Sequence, residues 1–317
     1  MSNRTSSTVG IDVSKAHLDA HELPSGRSAR FRNNTVGLRE LAAWIGPEPH
    51  RVVYESTGRW HRALEEALAE SFPLSRVNAT RARRFAQAMG QEAKTDMVDA
   101  RVLAAMGAAV ELRRVEAPSA LQRDLVELHA ARDALVRDRT AVLNRKQQAR
   151  HRLVKRQTQY RLAQIERQIK ALDAEITELI ARDEKLSRRT VVLTSIPGVA
   201  RITAATLLAT MPELGGLDGK AAASLAGLAP VARDSGTWKG HRFIRGGRAL
   251  PRRVLYMAAV SAITHNPDLA SKYRQLRERG KPSKVALTAV MRKLLLLANT
   301  LLNQDREWRP APAVAPG

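Results

Sequence analysis

Four acids stand out by type and position: Asp12, Glu55, Asp96 and Asp99. Asp12 lies near the end of the apolar run Thr8–Val13 (TVGIDV), and Glu55 near the end of residues 51–56 (RVVYES). Both runs read as short buried strands. If those strands are neighbours in one sheet, the two carboxylates project from the same edge. Asp96 and Asp99 belong to Lys94-Thr95-Asp96-Met97-Val98-Asp99, which reads as a helix start, and a spacing of three puts them on one face. Four carboxylates on one patch repel one another unless cations lie between them. Hard oxygen ligands with no Cys and no His select Mg²⁺ or Mn²⁺. A pair of such ions activates an attacking oxygen and stabilises a departing one in phosphodiester transfer. Each acid also has a purely structural reading: Asp96 can open a helix, and Glu55 can pair with Arg59.

A second group of candidates lies in residues 233–248, with four glycines, five arginines or lysines and His241. A Gly-rich cationic surface of this kind, with Arg233, Lys239, Arg242, Arg245 and Arg248, suits a phosphate backbone. Ser235 lies within it. A serine becomes a nucleophile only with help from a base, a cationic field or a metal, and composition alone makes Ser235 a turn residue. Residues 137–161 hold nine basic side chains and one acid. Arg145, Lys146 and Arg150 there are candidates for nucleic-acid contact; a solvated helix face or a disordered bend has the same composition. His17, His61, His129, His151, His241 and His265 show no metal-ligand spacing and read as surface or core residues. Tyr256 and Tyr273 fall within apolar helical patterns and read as packing.

The chain that must position these groups has 317 residues, 44% of them apolar and 4% aromatic. That is enough for two or three compact units, and the composition favours helices over β-sandwiches. A formal charge of +22 attracts polyanions, nucleic acid being the usual one. The charge is uneven: residues 1–117 carry 17 basic and 14 acidic side chains, 118–189 carry 17 and 10, and 190–317 carry 19 and 7. The absence of cysteine excludes disulfides and thiolate metal sites. No apolar run nears the roughly 20 residues of a bilayer span, and the first residues lack an apolar signal core. The expectation is a cytoplasmic protein with no membrane role.

Along the chain, strands are expected at Thr8–Val13, His17–Leu23, residues 27–33, residues 51–56 and Leu74–Val77. Helices are expected at residues 36–45, 59–70, 81–89 and 95–110. Pro118 marks a boundary before a new helix. From Leu121 to Leu186 there is neither glycine nor proline, and Leu121, Leu128, Leu135 and Val142 recur every seven residues. Leu162, Ile165, Ile169, Leu172, Ile176 and Leu179 continue in a second register, so two long helices with coiled-coil spacing are expected. Ile196-Pro197-Gly198-Val199 between apolar helices resembles a helix-hairpin-helix turn, where free amides can meet a phosphate. A plain helix–turn–helix looks the same. The Pro- and Ala-rich residues 306–317 read as a disordered tail.

Several segments together closely resemble the DEDD-type transposases of the insertion-sequence 110 family: GIDVSK (10–15), YESTG (54–58), KTDMVDARVLA (94–104), IPGV, LAGLAPVARDSGTWKG and RGGRALPRRVLY. The resemblance spans roughly residues 8–302. It implies an α/β RNase H-like (RuvC-like) domain over residues 1–117, a coiled coil over 118–189 and a mostly helical transposase domain over 190–305. It implies that Asp12, Glu55, Asp96 and Asp99 form a tetrad for Mg²⁺, and that Ser235 attacks DNA to give a transient phosphoserine link. Serine and tetrad would come from different protomers of a homo-oligomer, with a non-coding bridge RNA pairing to donor and target DNA. The alternative is a RuvC-like structure-specific nuclease that uses the same tetrad to activate water and leaves Ser235 idle.

Overall fold

The computed structural model describes residues 7–310 other than 48, 56, 57, 59, 92–94, 116–118, 232, 233, 236, 237 and 241; of 234, 235, 238 and 239 it describes the backbone alone. The chain divides into two compact units, Met1–Ser119 and Ala120–Gly317.

The first unit runs β1 (Thr8–Val13), β2 (His17–Leu23), β3 (Ser28–Arg32), α1 (Thr35–Ile45), β4 (Arg51–Glu55), α2 (Arg62–Leu68), β5 (Leu74–Val77), α3 (Ala79–Ala88) and α4 (Asp96–Ala109). The sheet order is β3-β2-β1-β4-β5. β2 is antiparallel to β1 and β3, whereas β1, β4 and β5 are parallel. This mixed sheet is compatible with the RNase H-like architecture. β3 and α2 are shorter at both ends than the sequence pattern implies. Helix starts follow local chemistry: Asn34, Asn78 and Thr95 accept the N–H of Gly37, Thr80 and Val98.

Period-two alternation sorts the sheet into two faces. Val9, Ile11, Val13, Leu18, Ala20, Val52 and Tyr54 join Leu38, Leu41, Leu64 and Leu68 of α1 and α2 in one core. The opposite face carries α4, pressed backbone against backbone. A Cβ on Gly10 would stand 2.1 Å from the Ala100 carbonyl oxygen and 2.3 Å from the Ala104 nitrogen. One on Gly107 would stand 2.7 Å from Thr8 Cγ2 and 2.5 Å from Val53 Cγ2. Gly107 therefore lies over the start of β1, residues 100–104 lie over its middle, and the first turn of α4 lies toward its end.

The second unit begins with two long helices, α5 (Ala120–Gln148) and α6 (Arg152–Ala181). α6 runs back alongside α5, so that Val142 packs with Leu162, Ile165 and Ile169, and Arg132 pairs with Asp173. Next come α7 (Glu184–Thr194), α8 (Arg201–Thr210), α9 (Gly219–Leu225), and the short strands β6 (Pro230–Val231), β7 (Asp234–Ser235), β8 (Trp238–Lys239) and β9 (Phe243–Ile244). α10 (Ala249–His265), α11 (Pro267–Glu278) and α12 (Ser283–Asn303) complete it. One core joins α7, α8, α10 and α12 with Leu125 of α5 and Ile176 of α6. Gln122 ties α5 to the end of α8 by donating to the carbonyls of Leu208 (3.2 Å) and Ala209 (2.8 Å).

Two expectations change here. Gly198 lies between α7 and α8, and both its φ of +100° and a Cβ position 2.6–2.7 Å from Ala262 of α10 require a glycine, as either reading of this turn does. α12, with 21 residues, is long and apolar enough to cross a membrane by length and composition, although no run of that kind was expected. Half of it is buried within this unit, and Leu294, Leu295, Ala298 and Leu301 lie in the core; a helix surrounded by others is apolar on most sides. Residues 306–310 are not a loose tail: Trp308 packs on the core and donates its N–H to Ser195 Oγ at 2.8 Å, and Arg188 pairs with Asp305 and Glu307. One indole anchors what composition assigns to disorder. Residues 311–317 lie outside the described residues.

Because the atoms facing Gly10 are backbone, α4 cannot yield by a rotamer change. Gly10→Ala is expected to lower unfolding stability by about 3 kcal/mol. Equilibrium denaturation measures this, and a variant as stable as the parent would show that the helix is not seated on β1.

Candidate active site

The acid positions follow from strand register. β1 buries Val9 and Ile11 on one face, so Thr8, Gly10 and Asp12 point to the face under α4. On β4, Val53 meets Gly107, which puts Glu55, two residues on, on that same face. β1 and β4 are parallel with Ile11 opposite Tyr54, so Asp12 and Glu55 leave adjacent strands at the same end. Asp96 and Asp99 occupy the first turn of α4, where the helix dipole favours negative charge.

Asp12 records the proximity of the others. Burial first, then the charges of Asp99, Asp96, Glu55 and Asp19, push its carboxyl from 3.8 up to about 6. Each neighbouring charge disfavours ionisation, as like charges must. The donor set therefore fits a divalent cation: hard oxygens, partly desolvated, with a repulsion that a cation relieves. The acids are nonetheless not drawn together to coordination distance. Among the described residues no three Asp, Glu, His or Cys form a group that could hold a metal ion. Electrostatic reach exceeds ligating distance, and both observations hold together.

Two residues that sequence reasoning missed also belong to this end of the sheet. Asp19 pairs directly opposite Asp12 across β1–β2 and is fully buried. Arg30 lies opposite Asp19 across β2–β3 and grips both its oxygens, at 2.8 and 3.2 Å. The same guanidinium reaches Asp96 Oδ2 at 3.4 Å. Both partners of that longer contact are more than half exposed, so it is weak. Asp19 carried a readable signal: folding the chain about the turn at residues 14–16 brings it into phase with Asp12.

Behind Glu55, Tyr54 is buried and donates its hydroxyl to Glu65 of α2, which also receives Arg76 at 3.2 Å. Burial, then Glu65, keeps the phenol protonated. His61 stacks on Tyr54, with ring centroids 6.1 Å apart. Arg59, considered as a partner for Glu55, lies outside the described residues, as does Lys94.

In the second unit, β7 pairs antiparallel with β8: Asp234 opposite Lys239 and Ser235 opposite Trp238. β6 pairs with β9. The segment read from its composition as a Gly-rich cationic surface thus carries two short ladders. Gly227 and Gly247, both at φ +66°, cross so closely that a Cβ on Gly247 would be 2.1 Å from the Gly227 nitrogen. Close approach, rather than mobility, requires those glycines. Arg242 and Arg245 are exposed. Arg248, expected to meet phosphate, is half-buried and bonds both oxygens of Glu213 at 2.9 and 2.8 Å, so it serves as an internal tie. Arg233 and His241 lie outside the described residues. Arg145, Lys146 and Arg150 are exposed at and just after the end of α5. Tyr256, expected to pack, is 39% exposed on α10, while Tyr273 does rest on the core. His129 is buried, with Nδ1 3.2 Å from Thr206 Oγ1.

Comparison with known proteins bears on both units. A DEDD transposase family model of the IS110 type matches residues 9–155, and one described as the transposase IS116/IS110/IS902 family matches residues 191–274. A pilin gene-inverting protein of Moraxella bovis is 28% identical over 316 residues, covering 95% of this chain and 97% of that protein. Its Moraxella lacunata counterpart is equally similar. An uncharacterized 43.6 kDa protein of insertion element IS110 from Streptomyces coelicolor is 34% identical over 143 residues, 44% of this chain and 34% of that one.

The raised Asp12 value has a signed consequence. Between 3.8 and about 6 the folded chain holds more protons than the unfolded chain, so its stability falls as pH rises through that window. After discounting for partial exposure, the penalty at neutral pH is about 1–2 kcal/mol. Without divalent metal, Asp12→Asn should be the more stable protein at neutral pH, and the gap should close below pH 3.8. Added Mg²⁺ should stabilise the parent and not the variant. Denaturant titrations at the two pH values test this, and equal stability at neutral pH would remove the proposed repulsion.

Proposed function

Since the chain belongs to the IS116/IS110/IS902 family of transposases, we propose that it cuts and rejoins the DNA of an insertion sequence through a site built from two parts. It is an enzyme of DNA recombination. In the proposed chemistry Asp12, Glu55, Asp96 and Asp99 hold Mg²⁺ or Mn²⁺, and Ser235 is the nucleophile. The observation that carries this reading is the placement of Asp12 and Glu55 at one end of adjacent parallel strands with Asp96 and Asp99 in the first turn of α4, where burial first and then those acids raise the Asp12 carboxyl. When bound, the ion would neutralise charge developing on the transferring phosphate. The serine oxygen forms a bond to phosphorus as the bond to the departing sugar oxygen breaks. The proton lost by the serine is balanced by one gained at the sugar oxygen. One phosphate ester replaces another, so a different strand's hydroxyl can reverse the step and rejoin DNA.

The tetrad lies in the unit Met1–Ser119 and Ser235 in Ala120–Gly317, so each part rests on its own fold. In this reading the two parts come from different protomers, joined by α5 and α6 acting as a coiled coil. The functional borders are residues 1–117, 118–189 and 190–305. A bridge RNA would supply sequence choice by base pairing, which agrees with the net charge of +22. Similarity over nearly full length to gene-inverting proteins favours strand exchange over simple hydrolysis.

The test is to incubate the protein with Mg²⁺ and DNA bearing the ends of its own element, digest it, and search for a nucleotide-modified peptide by mass spectrometry. Modified Ser235, absent in Ser235→Ala, is expected. Strand cleavage that persists in Ser235→Ala would replace this reading with a hydrolytic RuvC-like nuclease. RNA copurifying with the protein should be a single species paired to the element's DNA.

A further inference from the structure

We propose that a hollow beside the acidic strand ends holds one unstacked nucleotide of the DNA strand, its base against Trp60 and its phosphate on Lys15 and Arg62. The proposal rests on the recombinase reading and adds to it a place for the strand. The hollow has a volume of about 390 Å³ and is lined by Lys15, Asn33, Trp60, Arg62, Ala63 and Glu66. That size falls within the roughly 300–1,000 Å³ of small-ligand sites.

Its position follows from topology. Lys15 lies in the turn after β1, three residues beyond Asp12, and Trp60 lies in the segment after β4, five beyond Glu55. These segments leave the same end of two parallel strands, where open α/β sheets place their ligands. Asn33 clamps them together. Its Nδ2 donates to the carbonyls of Ser14 at 2.8 Å and Trp60 at 3.3 Å, and its backbone N–H donates to Ala16 at 2.9 Å. The hollow is thus held at a fixed place relative to the strands that carry Asp12 and Glu55.

The lining chemistry selects a nucleotide. Trp60 is half-buried, packed partly on the sheet core, and the Lys15 ammonium stands 5.7 Å from its ring centroid. An exposed cation–π contact contributes roughly 0.5–1 kcal/mol, whereas a base stacked on an aromatic ring contributes roughly 1–3. A base therefore displaces the ammonium, which moves on its flexible stem to the phosphate. Arg62 supplies a second exposed cation, and Glu66, one turn along α2, offers an acceptor to a base amino group.

The test uses the full chain in EDTA with a short single strand of deoxycytidine carrying one 5-iododeoxycytidine. Irradiation should yield an adduct on the peptide containing Trp60. Trp60→Leu should bind the strand about tenfold more weakly and Trp60→Phe nearly as well as the parent. Lys15→Ala with Arg62→Ala, both on exposed side chains, should lower affinity and flatten its salt dependence, so the proposal stays testable if Trp60→Leu fails to fold. Absence of a Trp60 adduct, parental binding and salt dependence in the double alanine variant, or a Trp60 adduct with the ribonucleotide strand alone, would each overturn it. Because EDTA removes the ion, a Trp60 adduct without any Mg²⁺-dependent strand transfer would count against the recombinase reading and leave the nucleotide site standing.

Discussion

Everything in the first unit depends on one steric condition, the direct contact between the backbone of α4 and that of β1. A helix normally rests on a sheet through a layer of side chains; here Gly10 and Gly107 remove that layer. The result is a short lever arm. Asp96 and Asp99, some eighty residues from Asp12 in sequence, come within its electrostatic reach because their helix lies flush on its strand. The glycine in the first strand is thus part of the acidic site without carrying any functional group.

The same proximity costs stability. Burial and then the neighbouring acids raise the tendency of Asp12 to hold its proton. Asp19 is held tightly, since Arg30 grips both its oxygens from the neighbouring strand. A buried acid held at two oxygens by a guanidinium, beside Asp96 that the same guanidinium reaches only at 3.4 Å, separates a structural acid from the acids at the strand ends. The Tyr54–Glu65–Arg76 network does similar work behind β4, satisfying buried polar groups next to Glu55.

Legibility in the sequence followed the range of the interactions. β1, β2 and β5 fall where alternation places them, because a buried strand is specified by its own residues. The four acids could be grouped on one edge once β1 and β4 were taken as neighbours. Asp19 falls into phase with Asp12 across the first turn, but its pairing with Arg30 was hidden because it depends on the register of the second hairpin as well. Arg248 looked like a phosphate ligand because nothing nearby reveals that Glu213, thirty-five residues earlier, takes both its donors. The close crossing of Gly227 and Gly247 was hidden for the same reason. Trp308 was lost in a Pro- and Ala-rich background whose average outweighed one anchoring side chain.

Asn33 and Arg30 restrain the same region by different forces. Arg30 acts through charge on an exposed partner, Asp96, and ions in solution weaken such a contact within a Debye length of roughly 10 Å at 0.1 M salt. Asn33 acts through neutral hydrogen bonds to carbonyls, which ionic strength barely touches. Crowded counterions, such as those carried by a nucleic acid, therefore loosen the restraint on the α4 acids while the spacing of the two strand-end loops stays set. The acidic site has one rigid wall and one compliant wall, and the compliant one responds to the ionic atmosphere.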